Sequence, residues 1–210
     1  MSRLHRRQIG RALGAASALL ALAIIAPTSA SAAMACTSTI VGPHTGVLNV
    51  AGNQKLCLLV AVQNGAVNVA PGGGLSVIGS TITGAVTLKS GFVELDFCGS
   101  TTIRGAISAT GAKGAVRIGG SGLLGALVCP ANTIDGAVTM NANKAGVELS
   151  RNFVGGAVTA SANLGGTTIS GNRIGGALTC TTNVPPPVNA GVVNTVGGGR
   201  SGQTCAVLTF

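Results

Sequence analysis

Residues 132–183 read NTIDGAVTMNANKAGVELSRNFVGGAVTASANLGGTTISGNRIGGALTCTTN, and the stretch repeats itself. Asparagines stand at Asn132, Asn143, Asn152, Asn163, Asn172 and Asn183, alternately 11 and 9 residues apart. Between them lie runs such as Gly136-Ala137-Val138-Thr139-Met140 and Gly156-Ala157-Val158-Thr159-Ala160, in which every second side chain is apolar. Alternation of period two over five residues specifies a short strand with one buried face, whereas a helix needs apolar spacings of three and four.

The same run extends over most of the chain in two interleaved series. One begins at Gly46, Gly65, Gly84, Gly105, Gly125, Ala145 and Gly165, the other at Gln54, Gly73, Gly91, Gly114, Gly136, Gly156 and Gly176. Two and four positions after each start the residue is apolar, with Thr167 as the exception. Strands this short bury their apolar face only against neighbouring copies, so the coils must stack. The reading is all-β: a parallel β-solenoid of about seven coils over 46–183, roughly 20 residues and two main strands per coil. Parallel crossovers make it right-handed, and about 4.8 Å per coil makes it on the order of 34 Å tall. The asparagines form two ladders, one at each corner, where Asn and Gly accommodate left-handed backbone and stacked amides bond along the column.

Composition agrees. Of 210 residues 34 are Gly, four are Phe and none is Trp or Tyr, so the interior is narrow and lined by small aliphatics. Charged residues make up 8% under positive hydropathy, which excludes a disordered polyampholyte, and Gly lacks the strict third-residue period of collagen.

The two ends read differently from the middle. Arg3, Arg6, Arg7 and Arg11 precede an apolar run from Ala12 to Ala26, then Pro27 and small residues, the pattern of a secretory signal peptide over 1–35 cleaved after Ala32 or Ala35. Arg6-Arg7 leaves Sec and twin-arginine export both open. Without the leader, nine basic residues face four acidic ones, a formal charge of +5. These bases are scattered and have no aromatic platform beside them, so nucleic acid is not expected as a partner. The mature chain has no membrane-spanning run. All six cysteines follow the leader, an even set for an oxidising compartment. Lipidation of Cys36 would leave five. Residues 36–45 and 184–210 are the expected caps. Cys180–Cys205 would pin the tail and Cys36–Cys57 the first coil, with Cys98–Cys129 left by elimination.

The repeat, together with the ending Gly171-Asn172, Gly175-Gly176-Ala177-Leu178-Thr179-Cys180, Asn183, Pro185 and Gly202-Gln203-Thr204-Cys205, resembles the bacterial right-handed parallel β-helix class, and within it secreted actinobacterial proteins without an assigned activity. The resemblance implies fold and export; chemistry must come from a site.

Candidate sites are few. The only acids of the mature chain are Glu94, Asp96, Asp135 and Glu148. Glu94 and Asp96 share one strand and one outward face, and Arg117 is expected in Glu94's column one coil on. If the chain is an enzyme, these three are its catalytic candidates, a thin version of the acids and basic proton acceptor that β-helix pectate lyases use. A solvated salt-bridge ladder is the preferred reading of them. Glu148 falls in the other series and is expected on the other sheet. His44 reads as a capping residue. No metal site or cofactor is expected.

The outward columns carry more information. Ala137, Ala157 and Ala177 line up beside Thr139, Thr159 and Thr179, a flat Ala-x-Thr array that resembles the ice-binding faces of solenoid antifreeze proteins. Val128, Glu148, Glu94 and Arg117 are expected to interrupt these columns. The leading expectation is a secreted, non-catalytic structural or surface-interaction protein, extracellular or cell-surface associated, meeting a cell-wall polymer, a polysaccharide or itself through flat faces. A carbohydrate-active enzyme or carbohydrate-binding protein is the alternative, and ice or crystal-surface binding a lesser one.

Overall fold

The structure, a computed structural model, describes residues 35–120 and 129–210. The expected leader, apart from Ala35, lies outside the described residues, as do Gly125, Ala126, Leu127 and Val128 of the first series. The described chain is a parallel β-solenoid. One sheet has eight strands: Leu48–Val50, Val67–Val69, Val86–Leu88, Ile107–Thr110, Val138–Asn141, Val158–Ser161, Leu178–Thr181 and Arg200–Ser201, each hydrogen-bonded to the next. These are eight rungs where the repeat suggested about seven.

The second sheet has 13 strands and bends through the long strand Lys55–Asn64, whose first half pairs with Gly74–Ile78 and whose second half pairs with Thr81–Ile82. Its main limb continues through Glu94–Cys98, Val116–Gly119, Val147–Ser150 and Thr167–Ser170. Its short limb continues through Thr102–Ile103, Thr133–Ile134, Phe153–Val154, Arg173–Ile174 and Thr195–Val196. Each complete coil therefore has a third, two-residue strand beside the two main ones. One inward residue per rung is too little for a period to show, but Ile82, Ile103, Ile134, Val154 and Ile174 are all buried.

Strand pairing corrects the alignment of the two series. Ile107 pairs with Val138, not Leu127, and Val116 pairs with Val147. Partners are thus 31 residues apart at this point, against about 20 elsewhere, and the two series exchange sheets here. The columns remain aliphatic on both sides, so hydrophobicity alone concealed the exchange. In the main limb the inward columns run Leu75, Leu95, Val116, Val147, Thr167 and Val77, Phe97, Ile118, Leu149, Ile169. All of them are buried, and Phe97 is one of two phenylalanines, with Phe92, fully inside.

Both asparagine ladders are present. One runs Asn132, Asn152, Asn172, Asn194, each amide donating to the next Oδ1 at 2.9–3.1 Å. The other runs Asn143, Asn163, Asn183, Gln203, with steps of 2.8 Å. Each Oδ1 except that of Asn152 also accepts a backbone N–H of the preceding rung, and each amide also donates to a backbone carbonyl, so the buried corners leave no ladder group unpaired. Left-handed backbone falls one residue earlier than expected, at Ala142, Arg151, Ala162 and Thr182, with φ between 51° and 59°. The asparagine points inward while its predecessor turns the chain. In earlier rungs Ser80 and Thr101 occupy the first corner, both buried and bonded through their hydroxyls to backbone.

The ladder extends beyond 46–183 at both ends. Ser38–Thr45 pairs parallel with Lys55–Asn64, where the His44 ring bonds Gln63 Oε1 at 2.7 Å. Val188 adds a bridge to Thr168, and Thr195–Val196 and Arg200–Ser201 complete the last rung. Beyond it a 3-10 turn, Gln203–Ala206, and buried Phe210 close the end, the Phe210 carbonyl accepting from the Asn194 amide at 2.9 Å. The three disulfides are Cys36–Cys57, Cys98–Cys129 and Cys180–Cys205.

Thr167, the exception in the pattern, faces inward at 2% exposure, and its hydroxyl has no hydrogen-bond partner. An unsatisfied buried hydroxyl costs about 1–3 kcal/mol. Thr167→Val keeps the shape and removes that cost, so it should raise the melting temperature by roughly 2–12 °C in a thermal scan, at about 2–4 °C per kcal/mol for a domain of this size. An unchanged or lower midpoint would show that the hydroxyl is satisfied.

Candidate functional site

Two surfaces follow from the register. The first is the outward face of the eight-stranded sheet. Its central column is Asn49, Asn68, Thr87, Ser108, Thr139, Thr159, Thr179 and Ser201, paired rung by rung. Every member is small, polar and uncharged. Two residues before it in the six middle rungs stands Ala66, Ala85, Ala106, Ala137, Ala157 or Ala177. After it, Thr110, Asn141, Ser161 and Thr181 make a further column in register. Side chains bond along these columns: Asn68 to Asn49 at 3.1 Å, Ser161 to Asn141 at 2.9 Å, Thr179 to Ser201 at 3.0 Å.

The Ala-x-Thr array is therefore longer than the sequence indicated. Glu94, Arg117 and Glu148 do not interrupt it, because they belong to the main limb of the other sheet; Val128 lies outside the described residues. The charged residues next to the array are Lys89, just after Leu88, and Arg200, which precedes Ser201 in the last strand.

The flatness has a steric cause. Gly84, Gly105, Gly136, Gly156, Gly176 and Gly198 precede the alanine column, and a Cβ on any of them would lie 2.5–2.7 Å from a backbone atom of the adjoining coil. Only glycine lets successive coils approach closely enough there to keep the rungs in register.

The second surface is the charged patch on the main limb. Arg117 pairs with Asp96 on one side and Glu148 on the other, so it stands in Asp96's column rather than Glu94's, and Glu148 shares its sheet. The first correction is a two-residue register difference in the rung after Gly91, where Leu95 rather than Val93 pairs with Leu75; the second follows from the exchange of series. The guanidinium still reaches Glu94, at 3.5 Å. Burial pushes Glu94's carboxyl upward, against the pull of Arg117 and Lys55. Burial also pushes Asp96 up to about 6, opposed by Arg117 and reinforced by Glu94 and Glu148. Asp96 is 2% exposed and its Oδ1 has no partner, so the conformation described offers a substrate little access to it. Among the described residues no three His, Cys, Asp or Glu side chains are grouped to hold a metal.

The raised Asp96 sets a pH dependence. The native chain keeps this proton to a higher pH than the unfolded chain, whose aspartates titrate near 3.8. The resulting stabilisation is complete below about pH 4 and is lost as pH rises through 6, a change of up to about 3 kcal/mol. Asp96→Asn should flatten that part of the pH–stability curve and leave the molecule more stable than the parent at pH 7. Urea midpoints at pH 4, 5, 6 and 7 check it; identical curves for both proteins would contradict it.

Among the described residues no helix is long and apolar enough to cross a membrane. Searches against protein-family models, curated proteins and solved structures returned no match to this chain.

Proposed function

We propose that this chain is an exported, non-catalytic β-solenoid of the kind secreted by actinobacteria, and that its eight-stranded sheet is a rigid surface for contact with another ordered surface, a second copy or a cell-wall polymer. The observation that carries this reading is the central column from Asn49 to Ser201, eight rungs of small uncharged polar side chains at about 4.8 Å intervals. Such a face has few rotamers to freeze on contact and no charge to desolvate. Export is supported by the leader-like sequence of 1–35 and by three disulfides.

Binding of ice or another crystal face is a narrower form of the same reading, favoured by the absence of charge from the column. A carbohydrate-active enzyme built on Glu94, Asp96 and Arg117 is less favoured, because Asp96 is buried beside an ion pair.

Thr159→Lys places a cation in the middle of the column. Sedimentation of the mature protein, co-sedimentation with purified cell wall and ice shaping are compared for parent and variant. The parent should show at least one of the three, and the variant should lose it at least tenfold while keeping its melting temperature within about 2 °C. A parent inactive in all three, or a variant that behaves as the parent does, overturns the reading.

A further inference from the structure

The two ends of the solenoid are unlike. At the C-terminal end Pro185, Pro186 and Pro187 bring no N–H to a further rung, Cys205 is tied to Cys180, and buried Phe210 closes the last coil. The last strands there, Thr195–Val196 and Arg200–Ser201, are two residues long. At the N-terminal end Ser38–Thr45 pairs with Lys55–Asn64 alone, and Leu48–Val50 with Val67–Val69 alone. Among the described residues both of these strands have an outer edge with no partner.

The interior is open at the same end. Leu58 and Val67 are fully buried, whereas Ile40 and Leu48, their inward neighbours in the first rung, are only partly covered. Apolar side chains also flank the edge on the outside. Val41, Leu59 and Ile78 form one outward column, in which Val41 is 69% exposed, and Val60 and Val62 stand exposed beside it. Residues 36–54 contain no Asp, Glu, Lys or Arg. A register shift at Gly42, followed by Pro43, protects the second half of the edge strand, but Ser38–Val41 keeps a regular register and carries no guarding charge.

These features select the occupant. Strands of two residues cannot receive an eight-residue edge, so one copy does not continue another head to tail. A two-fold axis across the edge instead lays Ser38–Val41 antiparallel against the same strand of a second copy. It also joins the two open interiors, covering Ile40 and Leu48 from both sides. An uncharged edge tolerates its own image, since no like charges meet across the axis. Residues 36–53 with Val60, Val62 and Ile78 supply the roughly 20 residues a side that a standard interface engages. Given export, cleavage after Ala32 or Ala35 leaves at most three residues before Cys36. A reversal uses about two of them, so they cannot form a strand along the edge. We infer that the N-terminal rung is a self-association edge, through which two mature chains join end to end by antiparallel pairing of Ser38–Val41.

Sedimentation equilibrium of the mature protein, with its disulfides intact, reads the mass. The parent should weigh twice the monomer at micromolar concentration. Val41→Lys places two cations near the axis from an already exposed position. The dimer should weaken at least tenfold while the melting temperature stays within about 2 °C of the parent's. Leu208→Lys, at the closed end, and Thr159→Lys, on the flat face, should leave the dimer intact. Chains beginning at Ala33 and at Cys36 should dimerise alike. A monomeric parent, a Val41→Lys variant that dimerises as the parent does, or loss of the dimer in Leu208→Lys would overturn the inference. So would assemblies longer than two chains that persist in Thr159→Lys, or dimerisation from Cys36 but not from Ala33, which would make the preceding residues the cover. A dimer lost in Thr159→Lys alone belongs to the flat face and overturns the edge, so failure here and failure of the flat-face reading are distinguishable.

Discussion

Asn163→Leu should cost the protein at least about 4 kcal/mol, a large part of the 5–15 kcal/mol that holds a typical domain folded. Asn163 is fully buried and makes four hydrogen bonds. Its amide donates to Asn183 Oδ1 at 2.8 Å and to the Met140 carbonyl at 3.0 Å, and its Oδ1 accepts from the Asn143 backbone N–H at 3.1 Å and the Asn143 amide at 2.8 Å. Leucine fills the volume but satisfies none of these groups. Each buried group left short of a partner costs about 1–3 kcal/mol, and the defect sits mid-column, so the rungs on both sides lose a partner. Thermal unfolding should show a fall of roughly 10 °C or more. Asn68→Leu, which removes an exposed amide from the flat face, should change the midpoint by less than about 2 °C. Similar midpoints for the two variants would mean that the ladder contributes nothing beyond filling space.

Gly156→Ala is the second large effect, and its cause is steric. The added methyl would lie 2.6 Å from the Ala137 nitrogen and 2.7 Å from the Gly136 carbonyl carbon, both backbone atoms held in a hydrogen-bonded rung. No rotamer relieves such a contact. Overpacking commonly costs about 1–3 kcal/mol, and a clash with backbone on which the next coil rests belongs at the upper end or above. Gly146→Ala, in the same coil system but with its nearest neighbour at 3.7 Å, is the matched control and should be neutral or slightly stabilising. Denaturant midpoints separate them. Equal midpoints would show that the corner can relax and that its glycines are not required by close approach.

These two effects mark what the sequence made legible. The alternation of Val138, Met140, Val158 and Ala160 specified strands with one buried face, and its recurrence about every 20 residues specified that they stack in parallel coils. The 11- and 9-residue spacing of the asparagines located both corners, and Cys36 and Cys205, lying in the two expected caps, suggested which ends are pinned. The short limb was not legible, since a single inward Ile103 or Ile134 per rung creates no period. Ser80 and Thr101 escaped notice because a hydroxyl can serve a corner without the recurrence that betrays the asparagines.

The most consequential error concerned register. A strand after the 31-residue step satisfies the apolar rule on either sheet, so Leu127 looked like a valid partner for Ile107. That choice placed Glu148 on the wrong sheet, away from Arg117, and put charges among the threonines. Pairing Ile107 with Val138 moved the charges together onto the main limb and left the polar column unbroken. Both the unbroken flat face and the placing of Glu148 beside Arg117 depend on that one exchange.

Backbone nuclear Overhauser contacts across the strand Ile107–Thr110 therefore probe the molecule most directly. Amide and Hα protons of Ser108 should show cross-strand contacts with those of the strand Val138–Asn141, and Arg117 with Glu148, as in-register parallel neighbours. Contacts from Ser108 to residues 127–129 instead, with Glu148 remote from Arg117, would contradict the exchange of columns and with it both surfaces.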